Sequence, residues 1–139
     1  RGVANVILNT GLMGRWQVLA HSPLTVCDTG HNREGIEYIA KQLKSTPKNI
    51  LHMVIGFVND KDLSLVLPLF PAEAVYYFTR AAIPRAMDEK LLKDEARKYG
   101  LQGDSYPSVN IAVEAARSAA AEDDMIFIGG STYVVAEVV

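Results

Sequence analysis

Cysteine is almost missing from this sequence of 139 residues, which contains Cys27 and no other. A single cysteine excludes an intrachain disulfide and is typical of proteins from a reducing compartment, so we expect a cytoplasmic location. Cys27 ends an apolar run over residues 24–27. A small buried hydrophobic residue is therefore a better interpretation of Cys27 than a reactive thiol.

An excess of charge is also missing, since sixteen acidic residues nearly balance fourteen basic ones and the formal net charge is −2. Proteins that bind nucleic acid through its phosphates carry a basic face, so we expect no nucleic-acid partner. No apolar run approaches the roughly 20 residues that cross a membrane, so we expect no membrane partner either. The hydrophobic share of 49% is ordinary for one globular domain.

Three motifs that hold cofactors are absent. The sequence has no Gly-x-x-x-x-Gly-Lys-Ser/Thr phosphate loop, no Gly-x-Gly-x-x-Gly after its first strand, and no Cys and His residues at metal-ligand spacing. The chain by itself has no visible means of holding a triphosphate with magnesium, and no metal ligand is predicted. It starts at Arg1 without a Met or a signal-peptide pattern. We therefore expect residues 1–13 to be a linker and residues 14–139 to be one domain of a longer protein.

What the sequence does contain is a regular alternation of strand and helix patterns. Apolar or alternating runs predict strands at residues 15–20, 24–27, 50–58, 74–79 and 125–128. Amphipathic spacing and capping residues predict helices at 33–44, 88–99 and from 108 onward. A short helix at 63–69, closed by Pro68 and Pro71, and a helical segment at 132–139 follow two of the polar turns, while 103–107 is too short to assign. This order predicts a three-layer, Rossmann-like α/β fold. Its sheet is mostly parallel, with an N-terminal β-hairpin that contributes an antiparallel strand.

Polar turns follow the predicted strands at residues 28–32, 59–62, 80–85 and 129–131. Because parallel strands end at the same edge of a sheet, these turns are expected to meet where α/β proteins usually bind ligands. Asp28 could accept hydrogen bonds from sugar hydroxyls or cap its own turn. His31 could meet a phosphate or an acyl group, or bond to the backbone at the start of a helix. Arg15 could clamp a nucleotide or be a solvated arginine of the hairpin.

Two further candidates have weaker signals. Arg85 could pair with an acidic substrate or with a neighbouring carboxylate. Ser131, in the segment Gly129-Gly130-Ser131, could belong to an anion-binding turn or only to a close turn, and the close turn is favoured. The segment Asp60-Lys61-Asp62 is interpreted as a solvated turn with a helix cap.

Five short segments carry a resemblance to a known family. In chain order they are Gly14-Arg15-Trp16-Gln17, Asp28-x-x-His31-Asn32, Asp60-Lys61-Asp62, Arg85-Ala86 and Gly130-Ser131-x-Tyr133-x-Val135. Together they resemble the C-terminal domain of folylpolyglutamate synthase and bifunctional dihydrofolate synthase, a branch of the Mur ligase superfamily. The resemblance extends over nearly the whole chain.

The resemblance implies an ATP-dependent ligase that adds L-glutamate to folate or dihydropteroate through an acyl phosphate. Arg15 and Asp28 would contact ATP, and His31 would lie near the reacting phosphate as a catalytic group. Arg85 and Ser131 would be weaker candidates for the glutamate carboxylates. A preceding central ATPase domain would hold the phosphate loop and most contacts to Mg²⁺, so residues 1–13 would be the linker from it. The domain alone is then expected to be inactive.

The family's usual Asp-x-Ala-His-Asn-Pro is here Asp28-Thr29-Gly30-His31-Asn32-Arg33, so the helix lacks the proline favoured at its first position. Because related Mur ligases share a similar turn, two alternatives stay open. One is the C-terminal domain of a cell-wall Mur-type amino-acid ligase, and the other is a stand-alone nucleotide-binding module.

Overall fold

A computed structural model gives the fold of this chain and describes residues 15–59 and 61–139. The predicted linker at residues 1–13, Gly14 and Asp60 lie outside the described residues.

Strands and helices alternate along the chain after an initial hairpin. The strands are β1 (Gln17–His21), β2 (Leu24–Asp28), β3 (Leu51–Ile55), β4 (Val75–Phe78), β5 (Gly103–Ser105) and β6 (Met125–Gly129). The helices are α1 (Arg33–Ser45), α2 (Glu89–Arg97), α3 (Val109–Ala119) and α4 (Thr132–Ala136). Every strand and helix predicted from the sequence is present, except that residues 63–69 form short 3₁₀ turns instead of one helix.

The sheet has six strands in the order β1-β2-β6-β3-β4-β5. The β1 strand pairs antiparallel with β2, and all other pairs are parallel, which confirms the predicted fold class. The last strand, β6, lies between β2 and β3. Since β6 is apolar and fully buried over its five residues, it occupies the centre of the sheet, where both faces are covered.

Two hydrophobic layers cover the two faces of the sheet. On one face, α1 and α2 pack through Ile36, Ile39, Leu43, Leu92 and Ala96 against alternate residues of the strands. On the other face, α3 and α4 pack through Val109, Ala112, Val113, Ala116, Val134 and Val135. The alternation is visible in β6, where Met125 and Phe127 belong to the first layer while Ile126 and Ile128 belong to the second. Cys27 is buried in the second layer, as predicted.

The segment 63–69 forms two short 3₁₀ turns, Leu63–Leu65 and Leu67–Leu69, where one helix was predicted. Asp62 caps the first turn, because its side chain accepts a hydrogen bond from the N–H of Ser64 at 3.1 Å. Pro68 has no N–H to donate to an α-helical ladder, so the chain closes i to i+3 bonds instead.

A buried polar network joins β3, β4 and the start of β6 at the amino edge of the sheet. The two nitrogens of His52 face the Tyr77 hydroxyl at 2.8 Å and Asp124 Oδ2 at 2.9 Å. The Asp124 carboxylate also accepts from the N–H groups of Ile50 and Ala121, at 3.1 and 3.0 Å. The pKa of Asp124 lies below its ordinary value, mainly because of the hydrogen bond from the Ala121 N–H and next because of the one from His52.

This network predicts a loss of stability in acid. The pKa of Asp124 is lower in the folded protein than its ordinary value of 3.8. Its contribution to the free energy of unfolding is therefore complete above pH 3.8 and is lost as the pH falls through the lower pKa of the folded state. We expect Asp124→Asn to remove this part of the pH dependence of the free energy of unfolding below pH 3.8. Urea unfolding at a series of pH values measures it. Asp123→Asn, at the exposed neighbouring position, should leave the acid profile unchanged, and an unchanged profile for Asp124→Asn would contradict the prediction.

Candidate functional site

The carboxyl ends of three adjacent strands are level with one another. Asp28 at the end of β2 pairs with Gly129 at the end of β6, and Gly129 pairs with Ile55 at the end of β3. The turns that follow these strands therefore lie side by side. This confirms the expectation that the turns of residues 28–32, 59–62 and 129–131 share one edge, although Asp60 lies outside the described residues.

Asp28 lies beneath this edge, with 1% of its surface exposed. Its Oδ1 accepts from the N–H of Gly30 at 2.7 Å and its Oδ2 from the N–H of Trp16 at 2.9 Å. Burial raises the pKa of Asp28, while these two N–H groups and the nearby Arg15 oppose the rise. The carboxylate thus ties the start of the hairpin to the turn before α1.

Arg15 is held beside this carboxylate but remains accessible. Its Nε lies 3.7 Å from Asp28 Oδ1, and 51% of its side chain is exposed. Trp16, the next residue, has a positive φ of 45°, and its N–H bond to Asp28 stabilises that unusual backbone conformation. The centroids of the Trp16 and Phe127 rings are 6.2 Å apart. This contact anchors the start of the hairpin on the core.

The turn after β6 comes unusually close to the backbone after β3. Gly130 has a φ of +101°, and a Cβ at this position would lie 2.5 Å from the carbonyl oxygen of Gly56. Ser131 follows with 5% exposure, and its Oγ accepts from the N–H of Val134 at 3.2 Å. Ser131 is therefore the N-cap of α4, and its own hydroxyl proton is left to donate.

His31 is exposed and lies two residues before the start of α1. Asn32 is the N-cap of that helix, since its Oδ1 accepts from the N–H of Gly35 at 2.7 Å. From the turn after β3, the Lys61 ammonium donates to the carbonyl oxygen of His31 at 2.6 Å and lies 3.3 Å from His31 Nδ1. The position of His31 is thus defined by the helix cap on one side and by Lys61 on the other.

Three adjoining cavities open at this edge, and His31 lines all of them. The first has a volume of about 430 Å³ and is bordered by Arg15, Gly30 and Tyr38. The second, of about 340 Å³, is lined by Arg85, Ser131, Tyr133 and Lys61. The third, of about 460 Å³, extends from Arg85 and Lys61 toward Leu65. His31 is therefore shared by the walls of the first and second cavities.

The structure brings the candidate residues into two groups. Arg15 borders the first cavity with Asp28 buried beneath it, while Arg85 and Ser131 line the second, and His31 belongs to both. Lys61 is the residue that sequence reasoning undervalued, because its turn was interpreted as solvated. Its contact with His31 joins positions 30 residues apart, which only the pairing of β2 and β3 around β6 brings together.

Comparison with known proteins connects this arrangement to a family. The family model described as "Mur ligase, glutamate ligase domain" matches residues 14–132. The chain belongs to this family. The resemblance that the five short segments carry is thereby confirmed, and the folylpolyglutamate and dihydrofolate synthases are among the relatives of this Mur ligase domain.

Two relatives illustrate how much of a whole enzyme this domain represents. The dihydrofolate synthase/folylpolyglutamate synthase of Escherichia coli K12 is 33% identical over 140 residues, which cover 99% of this chain and 31% of the relative. A probable bifunctional folylpolyglutamate synthase/dihydropteroate synthase of Haloferax volcanii is 32% identical over 125 residues, 89% of this chain and 15% of the relative. The Mur ligase domain thus spans less than a third of these relatives.

Solved structures agree with the fold. E. coli FolC in complex with DHPP and ADP superimposes with a TM-score of 0.74 and 29% identity, over 90% of this chain and 30% of the other. The bifunctional synthase of Yersinia pestis, complexed with AMPPNP and Mn, gives a TM-score of 0.79 at 24% identity, over 90% and 30%. The Yersinia structure supports the fold alone.

Neither a membrane span nor a metal cluster is found in the described part of the Mur ligase domain. None of its helices there has the length and apolar character that crossing a membrane requires. Within residues 15–59 and 61–139, no three His, Cys, Asp or Glu side chains are grouped as metal ligands. The first cavity has the half-exposed guanidinium of Arg15 at its border and the carboxylate-bearing Glu34 among its lining residues.

Proposed function

We propose that this chain is the C-terminal domain of an ATP-dependent ligase that joins L-glutamate to folate or dihydropteroate. The observation that carries the proposal is the match to the Mur ligase glutamate-ligase domain. It is joined by a site in which the first and second cavities share His31. The relatives named as folylpolyglutamate and dihydrofolate synthases support the choice of substrate.

The proposed reaction forms one C–N bond at the expense of ATP. The terminal phosphoryl group of ATP is transferred to a carboxylate of the pterin substrate, which gives an acyl phosphate and ADP. The amino group of glutamate then attacks the acyl carbon, phosphate leaves and the amine loses a proton. His31, where the two cavities meet, would stabilise charge on the reacting phosphate.

The nucleotide side of the site consists of Arg15 and Asp28. Arg15 would contact the phosphates or the base of ATP with its exposed guanidinium. Asp28 is proposed to contact the ribose, and its bonds to the N–H groups of Gly30 and Trp16 would also position Arg15. Mg²⁺ would be held mainly by residues of another domain.

The glutamate side of the site is the second cavity. Arg85 lines it together with Lys61, so two cationic side chains border a space of about 340 Å³. A guanidinium binds a carboxylate through paired hydrogen bonds, and the Ser131 hydroxyl can donate another. We propose that Arg85 and Ser131 bind the carboxylates of glutamate.

The partner that this site requires is a central ATPase domain of the same protein, joined through residues 1–13. We propose that this domain supplies the phosphate loop and that the C-terminal domain alone does not turn over substrate. A cytoplasmic location, without nucleic acid or membrane as a partner, agrees with the single buried cysteine and the balanced charge.

The test uses the full-length protein and measures folate-dependent release of ADP together with incorporation of glutamate. We expect Arg15→Ala to raise KM for ATP roughly 10-fold, because a charge-assisted contact contributes about 1.5–3 kcal/mol, with little change in folding stability. Asp28→Ala should raise KM for ATP and also destabilise the domain, since it leaves two partly buried N–H groups without their acceptor.

Unchanged nucleotide kinetics for both variants would rule out this nucleotide site. Turnover with a cell-wall precursor in place of folate would make the protein a cell-wall Mur-type ligase. Substantial turnover by the 139-residue chain alone would contradict the need for another domain, and tight ATP binding by that chain in calorimetry would favour a nucleotide-binding module.

A further inference from the structure

Lys61 connects two turns that come from different strands. Its ammonium donates to the carbonyl oxygen of His31 at 2.6 Å and lies 3.3 Å from Nδ1 of the same residue. His31 precedes α1, whereas Lys61 lies beyond the end of β3. One lysine thus contacts both the backbone and the ring of the histidine on which the cavities converge.

The chemistry of the two groups determines how the His31 ring is oriented. An ammonium can only donate hydrogen bonds, so the Nδ1 atom that faces it acts as an acceptor. In the neutral imidazole, the proton is then on Nε2, and Nε2 is the nitrogen left to donate to a ligand. The second bond, to the His31 carbonyl, limits movement of the backbone that carries the ring.

Hydrogen bonds within its own turn hold the backbone of Lys61. Its backbone N–H donates to the Val58 carbonyl at 3.2 Å. The next residue, Asp62, accepts from the N–H and the hydroxyl of Ser64 at 3.1 and 2.6 Å, which holds the turn at its other end. The lysine side chain is only partly exposed. It therefore extends toward His31 from a hydrogen-bonded turn.

We propose that Lys61 is a positioning residue of the ligase, which orients His31 so that Nε2–H is presented to the charge that develops during phosphoryl and acyl transfer. This inference rests on the proposed function for the reaction, but the contact between Lys61 and His31 does not. The competing explanation is that Lys61 binds a carboxylate of glutamate directly, since it also lines the second cavity.

A double-mutant cycle in the full-length protein separates the two roles. We expect Lys61→Met to lower kcat roughly 10- to 100-fold when His31 is present, because small displacements of a catalytic group have effects of that size. In a His31→Ala background the same substitution should lower kcat less than about 2-fold. Lys61→Arg, which keeps a hydrogen-bond donor, should retain part of the activity that Lys61→Met loses. The matched control is Lys41→Met, at an exposed position of α1. Equal losses in both backgrounds, or a rise confined to KM for glutamate, would overturn the proposal.

A second measurement does not depend on activity. In the 139-residue chain labelled with ¹⁵N, we expect Lys61→Met to move the His31 Nδ1 resonance downfield, as loss of a donor to that nitrogen requires, while Lys41→Met leaves it in place. An unchanged resonance would overturn the Lys61–His31 contact. If the wild-type protein shows no folate-dependent turnover, the proposed function fails, and this spectrum still decides whether Lys61 orients His31.

Discussion

Replacing Gly130 with alanine is expected to destabilise the domain by roughly 2–5 kcal/mol. A φ of +101° costs a residue with a Cβ about 1–2 kcal/mol. The new Cβ would also lie 2.5 Å from the carbonyl oxygen of Gly56, and relieving such a contact in packed surroundings costs about 1–3 kcal/mol. Neither atom is at the end of a flexible side chain, so the turn that carries Ser131 must move. Urea unfolding of the 139-residue chain measures the effect.

Gly100 is the matched control for Gly130. Its φ is also positive, at +81°, but a Cβ there would meet only the Ala72 Cβ, at an ordinary contact distance of 3.9 Å. Gly100→Ala should therefore show the backbone cost alone, about 1–2 kcal/mol. If the two variants lost equal stability, the close approach of Gly130 to Gly56 would contribute nothing, and this explanation of the turn would be wrong.

Replacing His31 with alanine is expected to lower kcat of the full-length ligase by roughly 100-fold or more. Removing one donor that faces developing charge has an effect of this size when the donor is held in place beforehand. Because His31 is exposed, its removal should leave the stability of the domain nearly unchanged. The measurement is steady-state turnover at saturating ATP, folate and glutamate, with urea unfolding of the same variant.

The chain provides a control in His21, an exposed histidine at the end of β1, where the hairpin turns. His21→Ala should leave kcat unchanged. His31→Gln, which can present an amide N–H, is expected to keep more activity than His31→Ala. A kcat for His31→Ala within about 3-fold of the wild type is too small a change for a charge-stabilising group, and His31 would then be a residue of the cavity wall only.

The fold was predictable to a large extent because its strands are strongly patterned. The buried runs of β3 and β6 and the spaced apolar residues of α1 and α3 indicate elements of definite type. The segment 63–69 is the exception. The polar turn before it suggests the start of a helix, but Pro68 interrupts the ladder and leaves two 3₁₀ turns. The β5 strand has three residues and no apolar side chain, so it owes its place to pairing with β4.

The site was predictable as a set of residues but not as a geometry. Asp28 and His31 fall in a turn that the pattern assigns to one edge of the sheet, whereas Arg15 starts the predicted strand at residues 15–20. Burial of Asp28 and its two bonds to backbone N–H groups depend on how the hairpin folds back over that edge. The contact of Lys61 with His31 depends on the relative placement of two separate turns. The assignment of Arg15 and Asp28 to ATP binding and of His31 to catalysis stays a prediction.

The sequence by itself determined the number and kind of most elements, the parallel α/β class and the edge at which polar residues collect. These properties follow from local periodicity and capping, which each segment carries within itself. Only the tertiary structure decided that β6 inserts between β2 and β3. Strand order depends on long-range packing of two helical layers against one sheet, which no local pattern encodes. That insertion places Gly129 between Asp28 and Ile55, and so forms the edge where His31 and Lys61 meet.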